Sequence, residues 1–238
     1  MTQTWLYRLQ MAVHRTVADL SYGITNYRHP QRNAAWTAAW TAAKSIPKRI
    51  PTGTTPLECS EIFQAVAACE KIEGDIAEAG VYRGGTAAIM LTASRKRLHL
   101  FDTFEGLPHG ENAFETGEWR GSLADVRRNL KEWSNRLEFH PGLFPESAKG
   151  LEKARFSFVH LDLDLYESTR AALEWFWPRL ETGGVLLSHD YPFSDGVTRA
   201  FHEFFDHHSE PFLPLSGNQC VAVKIACEPM ISETNLSS

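Results

Sequence analysis

The sequence predicts an α/β protein with a mainly parallel β-sheet covered by helices on both faces. Three observations support this fold class. From residue 55 onward, short apolar segments alternate with helical patterns at the spacing of βαβ units. The segment FSFVHLDLD is apolar along most of its length, as is typical of a strand buried on both faces. Near the C-terminus, the segments PFLPLSG and NQCVAVKI are predicted to form a closing hairpin.

The regular elements begin at Thr55. Thr55, Pro56 and Glu58 form the pattern of a helix start, with an N-cap, a proline at the first helical position and a capping box. Strands are predicted, in chain order, for GDIAEAGV, KRLHLFD, RLEFHPG, FSFVHLDLD and GGVLLSHDY. Helices are predicted for TAAIMLTAS, SLADVRRNLKEW with Ser122 as its cap, STRAALEWFWPRL and GVTRAFHEFFDHH. This alternation implies right-handed crossovers between parallel strands.

The chain has 238 residues, enough for one sizeable core and too few for two full-sized domains. Residues 4–20 carry apolar side chains at spacings of three and four, which predicts an amphipathic helix. Residues 21–53 are predicted as short helical pieces and loops. We therefore divide the chain into an N-terminal helical segment with a lid or dimer role, residues 1–54, a main α/β domain, residues 55–227, and a flexible tail, residues 228–238.

Composition argues against several classes of partner. The formal net charge is −5 and the pI is about 6.1, whereas nucleic-acid binding requires a basic face. The apolar runs are shorter than the roughly 20 residues of a membrane span, and the N-terminus lacks the pattern of a secretory signal. The cysteines are scattered, which indicates reduced thiols and a cytoplasmic protein; they are Cys59, Cys69, Cys220 and Cys227.

Candidate binding residues follow the strand ends, because ligands of such sheets bind beyond the carboxyl ends of the strands. The first strand leads into a turn with Gly80, Gly84 and Gly85, whose bare backbone lets a ligand approach closely. Its spacing, G-x-x-x-G-G, differs from that of a dinucleotide fingerprint. Asp102 ends the second strand, where an acidic residue commonly binds ribose hydroxyls. The structural alternative for Asp102 is a helix or turn cap.

The stretch HLDLDLYEST places Asp162 and Asp164 one residue apart at the end of the fourth strand, and the fifth strand ends with His189 and Asp190. Converging carboxylates repel each other, and a divalent cation removes that cost. Oxygen ligands suit Mg²⁺, whereas an imidazole shifts the preference toward Mn²⁺, Zn²⁺ or Fe²⁺. The structural alternative is that Asp164 or Ser168 caps the next helix while Asp162 is a solvated strand end.

Several motifs occur together in a fixed order: EAGVYRGGTA, FDTFEGLP, HPGLFPES, HLDLDLYEST, and GGVLLSHDY followed by GVTRAF. Over about residues 50–225, they resemble the macrocin O-methyltransferase (TylF-type) family of S-adenosylmethionine-dependent enzymes. The resemblance implies a class I methyltransferase fold, a Rossmann-like sheet of seven strands with the last one antiparallel. It also implies methylation of a hydroxyl on a small molecule, often a sugar unit of a natural product, with Mg²⁺. We expect a homodimer or larger homo-oligomer.

The resemblance also implies roles for individual residues. The cofactor-binding set would be Glu78, Gly80, Tyr82, Gly84, Gly85, Thr86, Asp102, Ser122, Gly142 and Asp162. The turn residues of this set would wrap the methionine end of S-adenosylmethionine. Asp102 would hold the ribose, and residues near Ser122 and Gly142 would flank the adenine.

The resemblance implies a metal site formed by Asp162, His189 and Asp190. The catalytic residues would be Asp164, as general base and free of the metal set, and Asp162. The family usually has Asp-Asp before the tyrosine that is Tyr191 here, and this chain has His189–Asp190 instead. Imidazole can still bind a metal, but the lost charge should weaken the affinity for Mg²⁺.

Three alternatives remain open. HLDLDLYEST also resembles the hhhhDxD motif of haloacid dehalogenase-type phosphatases, although Tyr166 stands where that motif has Thr or Val. A DxD metal site of a nucleotide-sugar glycosyltransferase is the second alternative, and it leaves the YRGG turn unexplained. The third is a protein that binds S-adenosylmethionine without catalysis, which His189 makes conceivable.

Overall fold

The computed structural model describes residues 34–108 and 114–225. The α-helices in this part of the chain are α1 Ala34–Ser45, α2 Pro56–Ala68, α3 Gly85–Ala93, α4 Leu123–Asn129, α5 Tyr166–Phe176 and α6 Asp195–Phe205. The strands are β1 Asp75–Ala79, β2 Leu98–Asp102, β3 Leu137–Pro141, β4 Phe156–Leu161, β5 Leu180–His189, β6 Phe212–Pro214 and β7 Gln219–Val223. The predicted helix over residues 4–20, the tail 228–238 and Cys227 lie outside the described residues.

The described strands form one seven-stranded sheet in the order β3-β2-β1-β4-β5-β7-β6. Neighbours among β1 to β5 run parallel. Strand β7 is antiparallel to both β5 and β6. The mainly parallel sheet and the closing antiparallel hairpin predicted from the sequence are therefore confirmed.

The helix predicted for SLADVRRNLKEW is shorter than expected, because α4 ends at Asn129 and a 3₁₀ helix follows at Lys131–Arg136.

Strand β1 lies between β2 and β4, so the chain reverses its direction of progress across the sheet at this point. This topological switch point is where ligands of open α/β sheets bind. Ala79 is paired with both Phe101 and Leu161. The next residues, Gly80, Asp102 and Asp162, therefore come together at one edge of the sheet.

The core has two layers, one on each face of the sheet. Leu98 and Leu100 of β2 join the layer that contains α1, α2 and α3. Phe101 points the other way and packs with Phe176 of α5. The described part of the segment 1–54 contributes buried side chains of α1 and the following turn to the first layer. No helix in the described ranges is both long and apolar enough to cross a membrane.

The start of α2 confirms the predicted capping box. The Glu58 N–H donates to the Thr55 hydroxyl oxygen at 3.3 Å, and the Thr55 N–H donates to a Glu58 carboxylate oxygen at 2.7 Å. Pro56 occupies the first turn, as predicted. This arrangement satisfies backbone donors that a helix start otherwise leaves unpaired.

Candidate active site

A cleft opens at the carboxyl ends of the parallel strands, with an empty volume of about 810 Å³ up to its open mouth. Predicted site residues that line it are Gly80, Tyr82, Asp102, Gly142, Asp162, Asp164, His189 and Asp190. Predicted site residues outside its lining are Glu78, Gly84, Gly85, Thr86 and Ser122. Much of the remaining wall is apolar, as formed by Phe101, Leu107, Pro108, Trp119, Leu143 and Phe144.

Gly80 allows the ends of β1 and β4 to touch. Its φ is +89°, and a Cβ built on it would lie 1.8 Å from the carbonyl oxygen of Asp162. Any side chain at this position would force the two strand ends apart. Gly80 therefore brings the cofactor-side turn and the acidic cluster into one cleft.

The other turn residues hold the start of α3 in place. A Cβ on Gly85 would lie 2.6 Å from the Pro51 carbonyl oxygen, and the Thr86 hydroxyl is hydrogen-bonded to that of Thr52 at 3.0 Å. Ser122 caps α4 as predicted, accepting the Asp125 N–H at 3.2 Å. Its neighbour Gly121 touches the turn, because a Cβ there would lie 1.7 Å from the Tyr82 carbonyl oxygen. Contacts of these residues with a cofactor stay a prediction.

Asp102 closes the turn through its carboxylate. One oxygen accepts the Val81 N–H at 2.6 Å and the Tyr82 N–H at 3.1 Å, and the other accepts the Phe104 N–H at 2.7 Å. Burial outweighs these hydrogen bonds and raises the pKa of Asp102 above its usual value. The Thr103 hydroxyl lies 3.5 Å from the second oxygen but has a shorter hydrogen bond, 2.8 Å, to the Gly106 carbonyl oxygen. A carboxylate offers about four lone-pair positions, so a ligand hydroxyl could replace this long contact. The turn-cap alternative and the ribose prediction are thus compatible.

Below the cleft, Glu78 and His160 form a fully buried pair, with 3.2 Å between the His160 Nδ1 and a Glu78 oxygen. Burial, with the charges of Asp162 and Asp102, raises the pKa of Glu78 well above its usual value. Burial also lowers the pKa of His160 to about 4. The second Glu78 oxygen is buried and has no hydrogen-bond partner among the described residues.

His189 lies at the centre of an acidic cluster. Its Nδ1 is 3.2 Å from an Asp162 oxygen and 3.0 Å from an Asp190 oxygen, and its Nε2 is 3.6 Å from a Glu58 oxygen. Burial by itself would lower the pKa of His189, but the Asp190 and Asp162 carboxylates raise it well above the usual value. The structure therefore brings together the three predicted metal ligands and adds a fourth residue, Glu58, which is acidic.

Asp164 is buried against this cluster but is not one of the three candidate metal ligands, and its role as a base stays a prediction. Burial, together with the charges of Asp190 and Asp162, raises the pKa of Asp164 well above its usual value. A hydrogen bond links Asp164 to Asp190, and this bond and the His189 charge lower the pKa of Asp190 despite its burial. The capping alternative is wrong: Leu165 precedes α5 with no side-chain cap, and Ser168 lies within the helix and lines the cleft.

The donor set of Asp162, His189 and Asp190 fits a divalent cation. One ligand atom from each residue can be chosen so that all lie within 4.8 Å of one another. A buried Asp190 oxygen has no hydrogen-bond partner in the described part of the chain. Asp162 is partly exposed to the cleft, which leaves room for a substrate oxygen beside the ion.

Glu58 is the residue of this cluster that the sequence did not indicate. Its pattern signalled a capping box, which is a local feature, whereas its contact with His189 depends on how α2 packs against β5. Burial would raise the pKa of Glu58, but His189 and the backbone N–H groups of Asn218 and Thr55 lower it to about 2.

The lowered pKa of Glu58 predicts an acid-sensitive contribution to stability. A carboxyl with an unfolded pKa near 4.5 and a folded pKa of about 2 stabilises the fold above the unfolded value. That contribution, about 3 kcal/mol, should be lost as the pH falls from about 4.5 to about 2. Urea unfolding of wild type and Glu58→Gln across this range checks it. Equal pH dependence in the two proteins would contradict the assignment.

Residues 52–212 match the family model described as macrocin-O-methyltransferase (TylF). The chain is 32% identical over 168 residues to the 8-demethyl-8-(2,3-dimethoxy-alpha-L-rhamnosyl)-tetracenomycin-C 4'-O-methyltransferase of Streptomyces olivaceus, covering 61% of this chain and 64% of that protein. It is 29% identical over 161 residues to the mycinamicin III 3''-O-methyltransferase of Micromonospora griseorubida, covering 58% and 62%. The chain thus spans less than two thirds of the length of these relatives.

Two solved structures share the fold. The O-methyltransferase NovP gives a TM-score of 0.63 at 22% identity, covering 74% of this chain and 82% of that chain. The calicheamicin methyltransferase CalS11 gives 0.59 at 19% identity, covering 81% and 94%. Together with the strand order, these likenesses define the class I methyltransferase fold. The family model matches more than half of the sequence, so the chain belongs to the macrocin O-methyltransferase (TylF) family.

This result confirms the family and the fold class predicted from EAGVYRGGTA, HLDLDLYEST and the accompanying motifs. It disagrees with the phosphatase and glycosyltransferase alternatives for HLDLDLYEST. The third alternative, cofactor binding without catalysis, is compatible with the fold and requires an experiment.

Proposed function

We propose that this protein is an S-adenosylmethionine-dependent O-methyltransferase that acts on a hydroxyl of a sugar unit in a natural product. The observation that carries the proposal is the single cleft in which the Gly80 turn meets Asp162, Asp164, His189 and Asp190. The relatives named above are O-methyltransferases of glycosylated natural products by their descriptions. A cytoplasmic location and a homodimeric or larger assembly are further proposals.

The cofactor would occupy the side of the cleft that the Gly80 turn forms. S-adenosylmethionine supplies a methyl group activated on a sulfonium. The long contact of Thr103 with the Asp102 carboxylate could be replaced by a hydrogen bond from a ribose hydroxyl. The methionine end would lie along the Gly80 turn, above the buried Glu78 carboxyl. Gly142, whose φ is +131°, leaves backbone exposed in the cleft where the adenine would lie.

The acceptor would occupy the other side of the cleft. Its wall includes Leu107, Pro108, Trp119 and Leu143, which suit an apolar aglycone. The carboxylate end of the cleft suits the sugar hydroxyls. This division between an apolar wall and a polar end supports an amphipathic acceptor over a free sugar.

The chemistry needs alignment and a proton acceptor more than it needs a covalent contribution from the protein. A divalent cation held by Asp162, His189 and Asp190 would supply charge that lowers the pKa of a nearby hydroxyl. Asp164, in its deprotonated form, would accept the hydroxyl proton as the methyl group is transferred. Burial and the Asp190 and Asp162 charges raise the pKa of Asp164, and a cation held beside it would lower that pKa and favour the deprotonated form that can accept the proton.

Calorimetry with S-adenosylhomocysteine tests the cofactor site. We expect binding to wild type, and binding at least about tenfold weaker for Asp102→Ala, because a hydrogen bond to a charged group contributes about 1.5–3 kcal/mol. Asp206→Ala, which removes an exposed carboxylate just after α6, is the control and should bind like wild type. Absence of binding to wild type would overturn the proposal.

Single-turnover measurement separates an enzyme from a protein that only binds the cofactor. Wild type loaded with S-adenosylmethionine should transfer its methyl group to a glycosylated natural-product acceptor. Tight cofactor binding without transfer to any member of a broad acceptor panel would support the non-catalytic alternative.

A further inference from the structure

The contact between Glu58 and His189 links the acidic cluster to the start of α2. We propose that Glu58 positions His189 so that its Nδ1 binds the metal, which makes this site select a divalent transition metal such as Mn²⁺ over Mg²⁺. The inference deepens the proposed function and rests on it, because it concerns the metal proposed at Asp162, His189 and Asp190.

The two nitrogens of the His189 imidazole face different groups. Nε2 faces Glu58 at 3.6 Å, while Nδ1 lies 3.2 Å and 3.0 Å from oxygens of Asp162 and Asp190. A proton on Nε2 therefore points at a carboxylate, and the Nδ1 lone pair points at the space shared with the two aspartates. At 3.6 Å the contact is longer than a hydrogen bond, and Nε2 has no hydrogen-bond partner among the described residues. A small approach of Glu58 would complete a carboxylate–histidine–metal triad, in which the outer carboxylate fixes the tautomer and the ring orientation.

The position of Glu58 is itself fixed by two separate chain segments. One carboxylate oxygen accepts the Thr55 N–H at 2.7 Å, and the other accepts the Asn218 N–H at 2.9 Å. Gly217 leaves space for this carboxylate, since a Cβ there would lie 2.5 Å from a Glu58 oxygen. Glu58 is fully buried, so the capping box and the β6–β7 connection together aim it at His189.

The types of donor atom in the proposed site determine which cation it prefers. Mg²⁺ prefers oxygen ligands and near-ideal octahedral geometry. One imidazole nitrogen with two carboxylate oxygens suits Mn²⁺, Fe²⁺ or Zn²⁺ better, and affinity for such a set rises along that series. A cation in this space would replace the proton on His189 Nδ1. The proton on Nε2, on the side of the ring that faces Glu58, would stay in place.

Pulsed electron paramagnetic resonance on the full chain loaded with MnCl₂ tests the ligand assignment without a variant. We expect ¹⁴N coupling to the bound Mn²⁺ in wild type and none in His189→Asp. Calorimetric titration with MnCl₂ and MgCl₂ should show that wild type binds Mn²⁺ at least about tenfold more tightly, with a smaller ratio in His189→Asp. His207→Asp, an exposed histidine just after α6, is the matched control and should keep both properties.

Glu58→Gln tests the positioning role. We expect Mn²⁺ affinity to fall about 10- to 100-fold with weaker ¹⁴N coupling, and thermal unfolding shows whether the variant is folded. Mn²⁺ bound by wild type without ¹⁴N coupling, or equal affinity for Mn²⁺ and Mg²⁺, would overturn the inference. Because these readouts need no cofactor, such results alongside normal S-adenosylhomocysteine binding would leave the proposed methyl transfer standing.

Discussion

Asp164→Asn should bind S-adenosylhomocysteine as wild type does and lose about 10²- to 10⁴-fold in the rate of methyl transfer. The buried Asp164 carboxyl is hydrogen-bonded to Asp190. An asparagine amide can form the same hydrogen bond, so the cluster should stay intact. The amide cannot accept the proton of a hydroxyl, so the chemical step alone should slow. Single-turnover rates and calorimetry measure the two effects separately.

The control for this substitution is Asp206→Asn, which makes the same change at an exposed position after α6. It should leave both rate and cofactor binding unchanged. A rate for Asp164→Asn within about threefold of wild type would show that Asp164 is not the proton acceptor. Burial and the neighbouring carboxylates raise the pKa of Asp164. As the pH is lowered, the wild-type rate should therefore begin to fall at a higher pH than it would if the base were an aspartate with an ordinary pKa.

Gly80→Ala should destabilise the protein severely and abolish cofactor binding. The new Cβ would lie 1.8 Å from the Asp162 carbonyl oxygen, a distance that cannot be relieved without separating β1 from β4. The change would also place an alanine at a φ of +89°, at a cost of about 1–2 kcal/mol by itself. We expect a total loss above about 3 kcal/mol in the free energy of unfolding, measured with urea.

Gly150→Ala separates these two costs. Gly150 has a φ of +92°, but a Cβ there would meet nothing within 4 Å. This variant should lose only the backbone cost of about 1–2 kcal/mol and bind S-adenosylhomocysteine normally. Similar losses in the two variants would mean that the contact between the strand ends at Gly80 is not required.

The fold could be predicted from the sequence because its signals are local. The apolar run in FSFVHLDLD, the capping box at Thr55 and the glycine turn after β1 each lie within a few residues. Strand ends in a parallel sheet then fall at one edge by geometry alone. The convergence of Asp102, Asp162 and His189 could therefore be predicted from their positions at the ends of apolar segments.

The remaining features of the site depend on packing between distant segments. The contact of Glu58 with His189 joins residues 131 positions apart, and no periodicity signals it. The raised pKa of Asp164 depends on its burial by the surrounding residues and on the charge of Asp190. Trp119 in the cleft wall reaches the site through an irregular segment, whose path propensity does not predict.

A crystal structure of the protein with S-adenosylhomocysteine tests the central claim most directly. We predict that the ligand lies in this cleft, with a ribose hydroxyl on the Asp102 carboxylate, the methionine end along the Gly80 turn, and the sulfur facing the Asp162–Asp164 end. A ligand bound elsewhere, or bound here with its sulfur turned away from the acidic cluster, would contradict the account.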